Sequence, residues 1–255
     1  MAKYAELMPA QVREKWDAGA VAVIPWGALE WHGDHLPTGL DGIVAEAFAE
    51  RLTDALDGVL LPGVWLSITT LPHASSLQIR TETLRMILDD VLGGLILAGA
   101  TSIAIVTGHY AQAQLIEMLE GALRAMDDYP GIRVFAASPL QRLSRPDLLD
   151  HAARYETSQL LALRPDLVEV DGLPETLSTR EHCVLGEDPR TGTAAEGEEL
   201  TQLGVDSWQA WITGATTESL RQDYKEAFDD LESYTEQFFT GSWDEALLQW
   251  WEAKG

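Results

Sequence analysis

Glu30, His32 and Asp41 fall within one short segment, Glu30-Trp31-His32-Gly33-Asp34-His35-Leu36-Pro37-Thr38-Gly39-Leu40-Asp41, where carboxylates and imidazoles are densest along the chain. In an extended backbone alternate residues face the same side, so Glu30 and His32 can present an oxygen and a nitrogen to one point. That pair is a donor set for a divalent cation, although E-x-H alone is a loose pattern. Asp41 reaches the same point if the loop curls back, which Gly33, Pro37 and Gly39 permit. The other reading is a polar loop in which Asp41 caps a helix starting near Ile43. His35 is expected to hydrogen-bond within the turn and not to bind metal.

His109 lies in Thr107-Gly108-His109-Tyr110, directly after the apolar run Ser102 to Val106 and before a helical pattern from Ala111. A histidine at such a junction either faces a pocket or is a hydrogen-bonded loop residue, with Gly108 serving the turn. His151 and Glu156 are five apart and point in different directions on one helix. His151 is therefore placed on the loop entering that helix and Glu156 in its early turn, where an isolated glutamate ordinarily serves the helix dipole.

The elements that must position these groups alternate in type. Val21 to Ile24 is a β-branched run ending at Pro25, followed by a helical stripe through Ile43, Val44, Ala47, Phe48, Leu52 and Leu56. Thr81 precedes a second stripe from Leu84 to Leu95, and the strand Ser102 to Val106 follows. A third helix, from about Ala111 to Met126, closes at Tyr129-Pro130-Gly131 before the strand Arg133 to Ala136, and a fourth ends at Arg164-Pro165. This order implies a three-layer α/β/α domain with a mostly parallel sheet. Ligands of such sheets gather at the loops following strand C-termini, where both His-bearing loops stand. Residues from about Val170 to Glu199 read as an irregular excursion. Thr217 to Phe239 and Asp244 to Ala253 read as terminal helices, the second carrying Trp243, Trp250 and Trp251 as an anchor or a subunit contact. Residues 1–255 are read as one domain with a helical tail from about 217.

Composition narrows the classes of function. The 255 residues include 41 acidic and 17 basic side chains, a formal charge of −24, which disfavours nucleic acid and anionic membrane surfaces as partners. No apolar run reaches the length of a membrane span and no apolar leader opens the chain, so a cytoplasmic location is expected. Cys183 is the single cysteine. It leaves no internal disulfide and no thiolate cluster, so any metal must use nitrogen and oxygen.

Taken together, these segments resemble the creatininase family. PWGALEWHGDHLPTGLD at 25–41 is similar to that family's E-x-H-G-x-H-L-P with an aspartate nine residues after the first histidine. TGHYAQ at 107–112 is similar to its N-G-H-[GY]-x-N loop, HAARYETSQLLALRPDLV at 151–168 to its H-A-G-x-x-E-T-S helix, and GEDPRTGTAAEGEEL at 186–200 to a further G-D-P stretch. The resemblance spans roughly residues 20 to 200 and does not cover the tryptophan-rich tail.

The resemblance implies a layered α/β fold, a homo-oligomer that is commonly a hexamer, and a binuclear site with Glu30, His32, Asp41 and His109 as ligands, Asp41 bridging. Zinc is the expected ion, with manganese or iron suited to the same donors. The family's creatininase pattern places a second-metal glutamate where this chain has Ala111. Either Glu156 supplies that carboxylate or the site holds one ion. Thr107 replaces the usual Asn and Ala153 the usual Gly, and pocket tryptophans before H-A-G are absent from Ser144 to Asp150. Creatinine is therefore not the expected substrate.

The expected reaction is hydrolysis of a C–N bond in a small cyclic amide or formamide by a metal-activated water. His151 is the candidate base and proton donor, and Tyr110 the candidate hydrogen-bond donor to substrate or oxyanion. Two alternatives stand beside it: hydrolysis of a cyclic ketone or short peptide at the same metal, and a degenerate oligomeric binding or scaffold protein.

Overall fold

Two short, doubly buried strands carry the fold. The computed structural model describes residues 1–235 and 241–254. Its strands are β1 (Ala2–Lys3), β2 (Ala22–Trp26), β3 (Val59–Leu60), β4 (Ser102–Thr107) and β5 (Arg133–Ala137). They form one sheet in the order β1-β3-β2-β4-β5, and every neighbouring pair is parallel. Every residue of β2 and β4 is buried, the pattern of central strands covered on both faces. β2 continues through Pro25, beyond the end expected from sequence. This is possible because β3 stops at Leu60 opposite Val23, so no ladder bond needs the amide hydrogen that proline lacks.

The helices are α1 (Pro9–Asp17), α2 (Leu40–Leu56), α3 (Thr81–Leu97), α4 (Gln112–Asp128), α5 (Arg154–Leu163), α6 (Thr179–His182), α7 (Ala194–Gly214), α8 (Thr217–Thr235) and α9 (Trp243–Glu252). α2 packs with α5 and α7, while α4 packs with α3 and α8, so the sheet is sandwiched between helical layers as expected. Phe48 of α2, Phe135 of β5 and Trp208 and Trp211 of α7 meet edge to face, locking α7 onto the sheet. The chain leaves β2 toward β3 on one side and β4 toward β5 on the other. The point where strand order reverses thus lies between β2 and β4, and their C-terminal loops flank the crevice there.

The irregular excursion expected up to Glu199 ends earlier, because α7 begins at Ala194. Thr193 caps it by accepting from the Glu196 amide at 3.2 Å, a signal present in Thr193-Ala194-Ala195-Glu196 but hidden in a Gly- and Thr-rich stretch. Of the expected terminal helix to Phe239, residues 236–239 lie outside the described part. No helix of the described residues is long and apolar enough to cross a membrane.

Candidate metal centre

The loop after β2 curls back as the glycines allow, with the Glu30 amide donating to the Thr38 carbonyl at 2.8 Å. Asp41 consequently enters the first turn of α2, where its side chain does not cap the helix; Gly39 occupies the N-cap. Instead its two oxygens face two histidines. Asp41 Oδ1 lies 3.1 Å from His32 Nε2, and Oδ2 lies 3.2 Å from His109 Nδ1. Glu30 Oε2 is 2.9 Å from the same His109 nitrogen, and Glu156 Oε2 is 3.6 Å from His32 Nε2.

Two overlapping triads result, Glu30–Asp41–His109 and His32–Asp41–Glu156, the donor atoms of each lying within 4.8 Å of one another. Glu30, His32, Asp41, His109 and Glu156 are all buried. A third grouping brings His151 beside Glu30 and His32, its ring stacked on His32 at 4.3 Å. The residues singled out from sequence therefore converge, Glu156 included.

Why Gly108 precedes His109 follows from this packing. A Cβ at position 108 would stand 2.1 Å from the Asp41 carbonyl oxygen, so the loop can pass against α2 only without a side chain. The turn role expected for Gly108 is thus a close backbone approach. Thr107, one residue earlier, donates its hydroxyl to the His109 carbonyl at 3.0 Å and steadies the same loop. Ala153 needs no glycine, since its backbone is extended at φ −114°; the strained residue is its neighbour Ala152, at φ +49°.

Backbone carbonyls settle the imidazole tautomers. A carbonyl only accepts, so His32 Nδ1–H donates to Glu30 O at 3.1 Å and His109 Nε2–H donates to Ile68 O at 3.0 Å. Each ring is left with its other nitrogen, a lone-pair donor, turned inward. Glu30 is held by the Leu71 amide at 2.5 Å and Glu156 by the Ala152 amide at 2.6 Å.

Glu30 Oε2, His32 Nε2 and Asp41 Oδ2 are buried without a hydrogen bond, although the ion-pair distances above are short. Once the two inward nitrogens give up their protons, their lone pairs and the carboxylate oxygens face common points. Separations near 3 Å are also the edges of a coordination polyhedron with bonds of roughly 2.0–2.2 Å. The donor set fits divalent cations.

The electrostatics point the same way. Burial alone would favour the neutral form of His32, but Asp41, Glu156 and Glu30 outweigh it and raise its pKa to about 10. His109 is likewise raised well above its ordinary value, against burial, by Glu30 and Asp41. Burial raises Glu156 well above the usual carboxylate range, with Asp150 and Asp41 adding to it against His32. Positive charge is thus favoured on both inward-facing imidazoles, balanced by Glu30 and Asp41, whose carboxyls, against burial, the imidazoles hold below the usual carboxylate range. His151 differs: burial and then the neighbouring His32 charge lower it to about 4, so its ring is neutral near pH 7. Its Nε2 lies 3.1 Å from Trp31 O and 3.3 Å from Cys183 Sγ; in the tautomer whose Nε2–H donates to that carbonyl, Nδ1 is the basic atom.

Around the cluster lies a cavity of about 270 Å³ lined by Glu30, His109, Tyr110, Asp150 and His151 among others. Tyr110 donates its hydroxyl to Gln159 Oε1 at 3.1 Å, and burial holds the phenol well above its ordinary pKa, so it stays protonated. His35 does not bond within its own turn as expected; Nε2 donates to Ala152 O at 2.9 Å, joining the β2 loop to the entry of α5. Asp150, which sequence reasoning passed over, accepts from the Tyr155 and Glu156 amides at 2.7 and 3.1 Å and so fixes the start of α5. An aspartate just ahead of a helix was the available signal. Cys183 is buried and donates to the Trp31 carbonyl at 3.1 Å, beside His151.

Comparison with known proteins gives the family and the fold. The creatininase family model, described as creatinine amidohydrolase, matches residues 5–212. Creatinine amidohydrolase of Pseudomonas putida is 28% identical over 177 residues, covering 59% of this chain and 67% of the relative. Mycofactocin precursor peptide peptidase of Mycobacterium tuberculosis is 30% identical over 213 residues, 72% of this chain and 81% of the relative. Among solved structures, creatinine amidohydrolase (creatininase) superposes with a TM-score of 0.72 at 20% identity, covering 83% of this chain and 96% of that chain. A manganese creatininase gives 0.71 at 20% identity, covering 88% and 98%.

Proposed function

The chain belongs to the creatininase family of metal-dependent amidohydrolases, and from that premise we propose that it hydrolyses the C–N bond of a small cyclic amide or formamide at a two-cation centre. The observation that carries this reading is the pair of triads sharing Asp41. Glu30, Asp41 and His109 would hold one ion, and His32, Asp41 and Glu156 the other. Zinc and manganese, the ions named for solved relatives, both suit the nitrogen and oxygen donors. Divalent cations bound there supply Lewis acidity, which polarises a carbonyl oxygen and brings the pKa of a water molecule toward neutrality.

The chain's own residues then manage protons and position. His151, neutral near pH 7 and aligned by Trp31 O, takes the proton of the attacking water at Nδ1 and returns it to the departing nitrogen. Tyr110, a neutral phenol in the cavity whose hydroxyl donates to Gln159 Oε1, would donate toward developing charge on the substrate oxygen by turning that hydrogen from Gln159 to the substrate. The cavity of about 270 Å³ favours a small substrate. A second reading, cleavage of a short peptide, is favoured by the 30% identity to a peptide peptidase.

Metal analysis of chain purified without chelator, then a screen of cyclic amides, formamides and short peptides before and after chelation, tests the proposal. The expected result is near-stoichiometric zinc or manganese and amide hydrolysis that chelation abolishes and either ion restores. Turnover unaffected by complete metal removal would overturn it.

A further inference from the structure

The family match ends at residue 212, yet the metal cavity is not closed by matched residues alone. Trp243, Ala246, Leu247 and Trp250 also line it, and their spacing is one face of α9. This face is firmly held. Trp243 Nε1 donates to Glu117 Oε1 at 2.9 Å, and Arg85 clamps the same carboxylate through two bonds of 2.6 and 2.7 Å. Asp244 accepts from Gln78 at 2.7 Å. Trp251 is buried edge-on against Trp31, 6.4 Å between rings, so α9 leans on the residue between the proposed ligands Glu30 and His32. Arg180 covers the Trp251 ring and donates to its carbonyl.

The wall this creates is apolar and aromatic, and Leu71, Leu149 and Leu185 extend it. The cavity lining contains no lysine or arginine among the described residues. On the wall itself, away from the cluster, an anionic substituent would be desolvated against indole and leucine side chains without a hydrogen-bonded partner from the lining. A flat, uncharged group would bury its faces against the two indoles while the scissile amide lies over the cluster.

Resting on the proposed amidohydrolase reading, we infer that α9 is the specificity wall of this enzyme: Trp243, Leu247 and Trp250 select amides bearing an uncharged aromatic or flat apolar substituent beside the scissile bond. Trp243 and Trp250 would thus perform, from the C-terminal tail, the shaping that the segment before His151 lacks.

Benzohydroxamate and acetohydroxamate, which share a metal-chelating head and differ in the apolar group, test this by calorimetry on the zinc-loaded full chain. Wild type is expected to bind benzohydroxamate roughly 3- to 10-fold tighter. Trp250→Ala is expected to bring the ratio close to one with zinc content unchanged, and Leu247→Ala to lower it partway. A wild-type ratio near one, or a ratio unaltered in both variants, overturns the wall. The two readings fail separately: discrimination without hydrolysis of any amide sinks the proposed reaction, whereas amide hydrolysis without discrimination sinks only the wall.

Discussion

Glu156 Oε2 stands 3.6 Å from His32 Nε2, the nitrogen that also faces Asp41 Oδ1, while His109 faces Asp41 Oδ2. Ala111, at the N-cap of α4, has no side chain able to bind a cation there, so the carboxylate of the second triad comes from α5. Glu156→Ala is therefore expected to lower bound metal from two ions per chain to one and to reduce amide turnover by more than about 100-fold. Inductively coupled plasma analysis of reconstituted protein checks the stoichiometry. Two ions retained in the variant would mean that another group, such as His151, completes the site.

His151 touches the cluster through its stacked neighbour His32, but its hydrogen bond goes to the Trp31 carbonyl. Its proposed role as a proton carrier predicts that His151→Ala keeps its metal while losing about 10²- to 10⁴-fold in turnover. Asp41→Ala, which removes the shared carboxylate, should lose both. Metal content and activity measured on the same samples separate the two variants; undiminished turnover in His151→Ala would remove it from the mechanism.

How much of this was legible in the sequence depends on the range of the interaction. Glu30 and His32 announce themselves by two-residue spacing, His109 by following a buried strand, and α2, α3 and α4 by long apolar stripes, because each signal lies within one element. β1 and β3 are two residues each, too short to show any period. Asp150 needed the start of α5 to be known before its capping role had meaning. α9 is visible as a tryptophan-rich helix, yet that one of its faces lines the cavity beside the triads depends on residues far away in the chain, such as Glu117 and Trp31.

Cation binding should release protons. Without metal, His32 carries its proton up to about pH 10, and His109 and Glu156 are also shifted toward their protonated forms. Two cations at the triads must displace these protons. Because these are groups with raised pKa values, apparent metal affinity rises with pH, by about tenfold per pH unit for each proton displaced, and levels off only above the raised values. Calorimetry in buffers of different ionisation enthalpy, run from about pH 6 to about pH 8, should show net proton release at every pH. Binding that is independent of pH over that range would contradict the assigned ligands.

Gly108 and Gly94 offer a matched contrast. A methyl at Gly108 would lie 2.1 Å from the Asp41 carbonyl oxygen, and the three nearest atoms are all Asp41 backbone, with no flexible side chain among them to yield. Relief requires the His109 loop to move away from α2, which is the separation that sets Asp41 Oδ2 at 3.2 Å from His109 Nδ1. Gly108→Ala should thus cost about 3 kcal/mol of stability, in the range of overpacked cores, and lower metal affinity as well. Gly94, exposed within α3, has nothing within 4 Å of an added Cβ. There the same substitution should stabilise by about 0.5–1 kcal/mol, since alanine loses less backbone freedom in a helix. Thermal melts of both variants with and without zinc read the two effects together. Gly108→Ala should melt lower and gain less from zinc than wild type, while Gly94→Ala should melt slightly higher with its zinc response intact. An unaltered zinc response in Gly108→Ala would show that the spacing between Asp41 and His109 is not what holds the ion.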